Sequence, residues 1–324
     1  MDAIWLENKV LALRRDIERP EPASSEALIK TRLAGICSTD LELVKGYYPY
    51  RGVLGHEFVG QVVNSPGHPE WEGKRVVGDI NLSCGKCGMC RSGNPHHCEN
   101  RRTLGITKKD GVFADYFTLP VENLFEVPES IPDEAAVFSE PLAAALEIQN
   151  QIQISPEKQV LVIGAGRLGL LIALSLSLTG CDLKVVARRS RPCQILKAHH
   201  IKTISVKEIA NNQADIVVEV TGSADGFALA RRAVRPAGII VMKSTFKGLV
   251  QVDLASIVVD EVTIVGSRCG SHPPAIRTMQ MNAIDPRELI DRIYPISEGI
   301  DAIKEAGSPG VLKILLRPDS KNND

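Results

Sequence analysis

Four cysteines, Cys84, Cys87, Cys90 and Cys98, fall within CGKCGMCRSGNPHHC in the pattern C-x2-C-x2-C-x7-C. Gly85, Gly88 and Gly93 lie between them, and glycine lets a chain turn tightly enough to aim several sulfurs at one point. Four thiolates make a closed tetrahedral site for zinc. Such a site leaves no position for a substrate, so its chemistry is structural: the ion stabilises a lobe that has little apolar core of its own. Three alternatives fit less well. An iron–sulfur cluster also takes four thiolates but its usual spacings differ. A nucleic-acid-binding ribbon would carry an excess of lysine and arginine, and unliganded cysteines on a glycine-rich loop would invite oxidation.

A second set of candidate ligands is scattered. Cys37 in GICSTD and His56 in GHEFVG occur in separate β-prone segments, each near a glycine. Alone, a cysteine is more often a small buried hydrophobe and a histidine a satisfied structural residue. The third candidate is Glu140 in FSEPLAAALE, where Ser139 is placed to cap a helix that Pro141 helps to start. The positive end of that helix would keep a nearby carboxylate ionised. Three protein ligands leave a fourth position open, which a catalytic zinc requires.

The third constellation is VLVIGAGRLGLLIALSLSLTG. Gly164, Gly166 and Gly169 fit G-x-G-x-x-G after an apolar strand and at the start of a helix, with Arg167 and Leu168 between the last two glycines. That context lets backbone approach a pyrophosphate at a helix amino terminus. At the end of the next strand, an acidic residue normally accepts the adenosine ribose of NAD. Here the chain offers Ala187, Arg188, Arg189, Ser190 and Arg191. Guanidinium groups favour a 2'-phosphate, so NADP(H) is the expected cofactor in preference to NAD(H).

These residues need a scaffold. The 324 residues are 44% hydrophobic with a formal charge of -1, enough for one large core or two moderate ones. No charge excess would draw the chain to nucleic acid or an acidic membrane. From Met1 to Pro141, short β-prone runs such as EALIKTRLAGI, GHEFVGQVV and GKRVVGDI are broken by turn residues, which predicts an irregular antiparallel β domain. From Leu142 to Arg268, the strand candidates QVLVIG, LKVVA, ADIVVEV, GIIVMK and VTIVG alternate with helix candidates. That pattern belongs to a doubly wound parallel sheet in an α/β fold. A last helix, SEGIDAIKEAG, and strand, VLKILLRP, follow, and the polar tail SKNND is expected to fray. The amino terminus lacks signal-peptide features and no apolar run is long enough for a bilayer, so the expected location is the cytoplasm. Reducing conditions there make clustered cysteines metal ligands or redox groups in preference to disulfides.

Together, GICSTD, GHEFVG, CGKCGMCRSGNPHHC and VIGAGRLG closely resemble the zinc-dependent medium-chain dehydrogenases of alcohols, polyols, threonine and glucose, and the resemblance covers essentially the whole chain. It implies a GroES-like, β-rich catalytic domain in residues 1–141 and a Rossmann domain in 142–272. Residues 273–324 would return to the catalytic domain, with the active site in the cleft between the two domains. It further implies homodimers or homotetramers, two zinc ions per chain, a nicotinamide dinucleotide and a small alcohol or carbonyl substrate.

Position by position, the resemblance makes Cys37, His56 and Glu140 the catalytic zinc ligands, with the glutamate closer to the polyol branch than to the branch with a second cysteine. Glu57 matches the acid that approaches zinc during ligand exchange. Asp40 matches the carboxylate that orients the ligand histidine, and Thr39 the hydroxyl that takes the substrate proton. The family often has histidine where this chain has Glu42, so a water chain or this carboxylate is expected to replace the outer part of the proton relay. Val220 and Thr221, with Gly266, Ser267 and Arg268, fall where the family contacts the nicotinamide half of the cofactor. The expected activity is hydride transfer between NAD(P) and a secondary alcohol or polyol-like compound. A zinc-independent quinone or enone reductase shares the fold but has no use for the three ligands together. A noncatalytic dinucleotide or zinc sensor would keep both ligands and show no turnover.

Overall fold

The computed structural model describes residues 1–245 and 248–319, so the tail SKNND lies outside the described residues. The chain divides into two compact units. One comprises Met1–Glu140 with His272–Asp324, and the other Pro141–Ser271. Both crossings fall one residue before the expected boundaries.

In the first unit a seven-stranded sheet has the order Leu124–Glu126, Arg75–Gly78, Glu57–Asn64, Glu26–Gly35, Lys313–Arg317, Ile290–Pro295, with Tyr116–Pro120 also paired to Glu26–Gly35. Alternation of apolar residues along the middle of Glu26–Gly35 sends Ile29 and Leu33 into the core, and Phe113, Phe138, Ile4 and Leu54 are among the other side chains buried in this unit. The long strand pairs Gly35 with Glu57 on one edge and with Leu315 on the other, so the start of the Glu57 strand and the carboxy-terminal strand flank Gly35. The pairing is antiparallel in most of this sheet, as expected for a β domain read from short runs. Its last pair departs from that: Ile290–Pro295 and Lys313–Arg317 are parallel, because the helix Gly299–Ala306 supplies the crossover that parallel strands need.

The second unit contains a six-stranded, wholly parallel sheet. In chain order its strands are Gln159–Ile163, Asp182–Val186, Lys202–Ile204, Ala214–Glu219, Val234–Met242 and Thr263–Gly266, and in space they run 3-2-1-4-5-6. That is the dinucleotide-binding order, with its switch point beside the first strand. The core groups Leu161, Ile163, Val217 and Ile240 from the strands with Ala230 and Ala233 from the helix Ala224–Ala233. No helix among the described residues is long and apolar enough to cross a membrane.

Candidate active site

Cys37 precedes the helix Ser38–Val44 as its cap residue. Asp40, in the first turn, is fully buried and its Oδ2 accepts the Cys37 backbone N–H at 2.8 Å. His56 comes from the segment just before the strand Glu57–Asn64, and its Nδ1 lies 3.3 Å from Asp40 Oδ1. Neither of these buried atoms has a hydrogen-bond partner. Burial opposes charge on the imidazole, but Asp40 and then Cys37 overcome it and hold His56 well above its ordinary value. A cation beside Cys37 and His56 would meet the same negative field. With Nδ1 facing Asp40, the other ring nitrogen is left to ligate.

Cys37, His56 and Glu57 each place one sulfur, nitrogen or oxygen atom within 4.8 Å of the others. This mixed set suits zinc, and its carboxylate comes from Glu57. Glu140 lies outside that set. It sits in the first turn of the helix Ser139–Gln151, as expected. Burial pushes its carboxyl up to about 7, His56 and Lys313 lower it, and Glu57 and Asp79 raise it. Ser139 does not act as the expected cap: it is the first helical residue, and its hydroxyl lies 2.9 Å from Nδ1 of buried His272. His272 is stacked on Phe125 with ring centroids 5.0 Å apart.

Thr39 Oγ1 is 3.7 Å from Cys37 Sγ. Glu42 turns away to the surface, where it accepts Lys45 Nζ at 2.7 Å. Two partners were not visible in the motifs. Lys313, from the carboxy-terminal strand, is ion-paired with Glu57, and each side chain is only 2% exposed. Its signal was a lone lysine inside an apolar strand. The other is Asp79, which holds His96 Nε2 at 2.7 Å and so ties the cysteine loop to the sheet. Burial works against the Asp79 charge, but His96 and the Asn81 amide keep its carboxyl below the usual range.

Cys84, Cys87, Cys90 and Cys98 converge within the same 4.8 Å limit. The turns between them use Gly85 at φ 68° and Gly93 at φ 80°, in the left-handed region that favours glycine. The Cys84 thiol is pulled down to about 6, chiefly by the backbone amides of Lys86 and Cys87, which favours the thiolate a metal requires. Four sulfurs and no carboxylate or imidazole make this the closed, structural kind of set.

The glycine turn divides its work. Gly164 has φ 117° and makes the turn, while a Cβ on Gly169 would lie 2.0 Å from Gly164 O, so helix and strand pack closely only with glycine there. A Cβ on Gly166 would meet nothing within 4 Å, which leaves open space before the helix Arg167–Ser177 for a ligand to use. Leu168 belongs to that helix's first turn. Arg188 and Arg189 are exposed just beyond the strand Asp182–Val186, and Arg189 precedes the helix Ser190–Ala198. Val220 and Thr221 follow one strand and Ser267 and Arg268 another, all at the carboxyl ends of the sheet, where dinucleotides bind.

Residues 23–129 match the alcohol dehydrogenase GroES-like domain family, and residues 134–306 the glucose dehydrogenase C-terminus family. The chain belongs to the zinc-dependent medium-chain dehydrogenase/reductase family. It is an oxidoreductase with a GroES-like domain and a dinucleotide-binding Rossmann domain. An L-threonine 3-dehydrogenase of Pyrococcus horikoshii is 31% identical, over 93% of this chain and 94% of the relative. A sorbitol dehydrogenase of Halalkalibacterium halodurans is 28% identical over the same shares of the two chains, 93% and 94%. Among solved structures, a zinc-binding dehydrogenase of Sinorhizobium meliloti bound to NADP superposes with a TM-score of 0.90 at 28% identity, covering 98% of this chain and 99% of that one.

Proposed function

We propose that the protein oxidises a secondary alcohol or polyol-like compound to its carbonyl, or runs the reverse reduction, exchanging hydride with NADP(H) beside a zinc ion. The observation that carries the reading is the donor set of half-buried Cys37 and buried His56 and Glu57, with Asp40 behind the histidine. Cys37 and His56 would hold the ion, and Glu57 and Glu140 are the two carboxylates able to complete its shell. Zinc in such a site supplies Lewis acidity, lowering the pKa of a bound hydroxyl as it does that of water, from roughly 16 toward 7. Nicotinamide supplies the two-electron acceptor.

The chain's own residues do the rest. Asp40 fixes the tautomer and direction of the His56 ring. Thr39, partly exposed beside Cys37, takes the hydroxyl proton and passes it outward. Glu42 is engaged with Lys45, so that proton leaves through water and not through a side chain at this position. Glu140, where another branch has a thiolate, offers an acceptor to a second substrate hydroxyl. The names of the relatives agree with a polyol-like substrate: besides the sorbitol dehydrogenase, a D-arabinitol dehydrogenase of Uromyces fabae is 29% identical over 91% of this chain.

Cys84, Cys87, Cys90 and Cys98 would hold a second, structural zinc. Arg188, Arg189 and Arg191 support NADP(H), and the Sinorhizobium meliloti structure contains NADP. An Escherichia coli alcohol dehydrogenase structure, also 28% identical, contains NADH, so the fold admits either and the arginines make the choice. The enzyme works as a homo-oligomer in the cytoplasm. Exposed Leu254, Val258 and Val259, next to the edge strand Thr263–Gly266, supply apolar surface for a second copy. The free thiols of all eight cysteines suit a reducing compartment.

One assay set tests this reading: zinc content per chain, then turnover of alcohols, polyols, amino alcohols and sugars with NAD and NADP. Dinucleotide-dependent oxidation of a secondary alcohol, lost on chelation, is the expected result. A preference for NAD of more than about tenfold would overturn the cofactor assignment, and full activity after complete zinc removal would overturn the mechanism.

A further inference from the structure

The carboxyl ends of the strands Ala214–Glu219, Val234–Met242 and Thr263–Gly266 carry a polar rack built on buried Glu219 and Lys243. Glu219 is fully buried; its Oε1 accepts the Thr221 backbone N–H at 2.7 Å and the Thr221 hydroxyl at 2.5 Å, and its Oε2 accepts the Ser244 hydroxyl at 2.7 Å. Ser244 Oγ in turn accepts the Gly222 N–H at 2.9 Å. Beside it, Lys243 keeps only 8% of its surface exposed. Its Nζ donates to Ser267 Oγ at 2.9 Å and to the Arg268 carbonyl at 2.7 Å. Its backbone N–H donates to Glu219 O, and Ser267 N–H to Met242 O, so the three strand ends are tied side by side.

An ammonium taken out of water is costly unless it is well bonded. Two of the bonds of Lys243 go to one short loop, Gly266–Arg268, at the end of the sheet where dinucleotides bind. That loop has open space beside Gly266. A Cβ on Gly266 would meet nothing within 4 Å, while the Gly266 carbonyl is held by Gln151 Nε2 at 3.3 Å.

We propose that Lys243 is a positioning residue for the nicotinamide half of the cofactor: through Ser267 Oγ and the Arg268 carbonyl it fixes the loop against which that half rests. The inference rests on the reading that Gly266, Ser267 and Arg268 face the nicotinamide. Lys243 acts on the cofactor through that loop, so the adenosine half of the cofactor does not depend on it. Arginine is no substitute, because its planar fork cannot reproduce a point charge bonded to one hydroxyl and one carbonyl in a closed space.

The test measures binding by titration calorimetry with the reduced dinucleotide that the wild type prefers and with its adenosine fragment, 2',5'-ADP for NADPH or 5'-ADP for NADH. Lys243→Met weakens the dinucleotide about tenfold or more, from the loss of charged hydrogen bonds, and leaves the fragment within about twofold. Lys243→Gln, which keeps a donor, recovers part of the loss and serves if the methionine variant fails to fold. Fragment binding doubles as the check that the unit is intact. Unchanged dinucleotide affinity in both lysine variants overturns the proposal. So does an equal loss of dinucleotide and fragment, which would make Lys243 a general structural prop. Gly266→Val separates the proposal from the reading beneath it, since its added side chain enters open space on the loop. If Gly266→Val loses dinucleotide affinity and the lysine variants do not, the loop reading stands and the role of Lys243 falls; if none of them changes, both fall.

Discussion

Lys313→Met should cost the first unit about 3–5 kcal/mol, because it leaves the Glu57 carboxylate buried without its partner. The magnitude follows from the surroundings. Both side chains are 2% exposed, and Lys313 Nζ lies 5.3 Å from the centroid of the Phe138 ring. Gly35 makes room for the pair, since a Cβ there would lie 2.4 Å from Glu57 Oε2. A solvent-exposed pair would be worth about 0–1 kcal/mol, so the two cases are well separated. The assay is urea denaturation of metal-stripped protein, because a bound cation would itself partner Glu57. Trp5 and Trp71 are the chain's two tryptophans and both belong to the first unit, so their fluorescence follows the unit that holds the pair. The double variant Lys313→Met with Glu57→Met should return to within about 1 kcal/mol of wild type, since an apolar pair of similar volume replaces a buried ion pair at little cost. A loss below about 1 kcal/mol in the single variant, or no recovery in the double, would refute the reasoning.

Burial holds His272 down to about 4 from its ordinary 6.5, so the unfolded chain takes up this proton first as pH falls. The first unit therefore loses stability from about pH 6.5 down to about 4, by up to about 3 kcal/mol, and His272→Phe, which keeps a ring against Phe125, should flatten that slope in fluorescence-monitored melts. Cys90→Ser should destabilise the cysteine loop and release one zinc ion while cofactor affinity stays the same, as read by metal analysis and calorimetry. Exchanging Arg188 and Arg189 together for alanine should reduce NADP selectivity by about tenfold or more without affecting NAD, as read by kcat/KM for each cofactor.

What the sequence revealed was local. The spacing of Cys84, Cys87, Cys90 and Cys98 and the three glycines from Gly164 to Gly169 specify their own turns, because each motif closes within a few residues. The strands of the second unit were legible as apolar runs, except Lys202–Ile204, whose three residues are too short to show one. Long-range pairings were not: Lys313 meets Glu57 across 256 positions, and Ser139 meets His272 across 133. No periodicity encodes those distances. The Ser139 hydroxyl, judged by its neighbours, belongs to a helix cap, yet a buried histidine takes it. Glu57 and Glu140 show the same limit within the site. Residue type and context nominated Glu140 and the family resemblance Glu57, but neither showed that Glu57, opposite Gly35, shares one donor set with Cys37 and His56. Lys243 stands at the end of an apolar strand, where its charge was visible and its partners on the neighbouring strand were not.

The most direct test of the central claim is the zinc content of the wild type and of Cys37→Ser, measured beside turnover and circular dichroism. Two zinc ions per chain are expected in the wild type. One ion, an unchanged fold and no turnover are expected in Cys37→Ser. A Cys37→Ser protein that kept both ions and the full rate would contradict the claim.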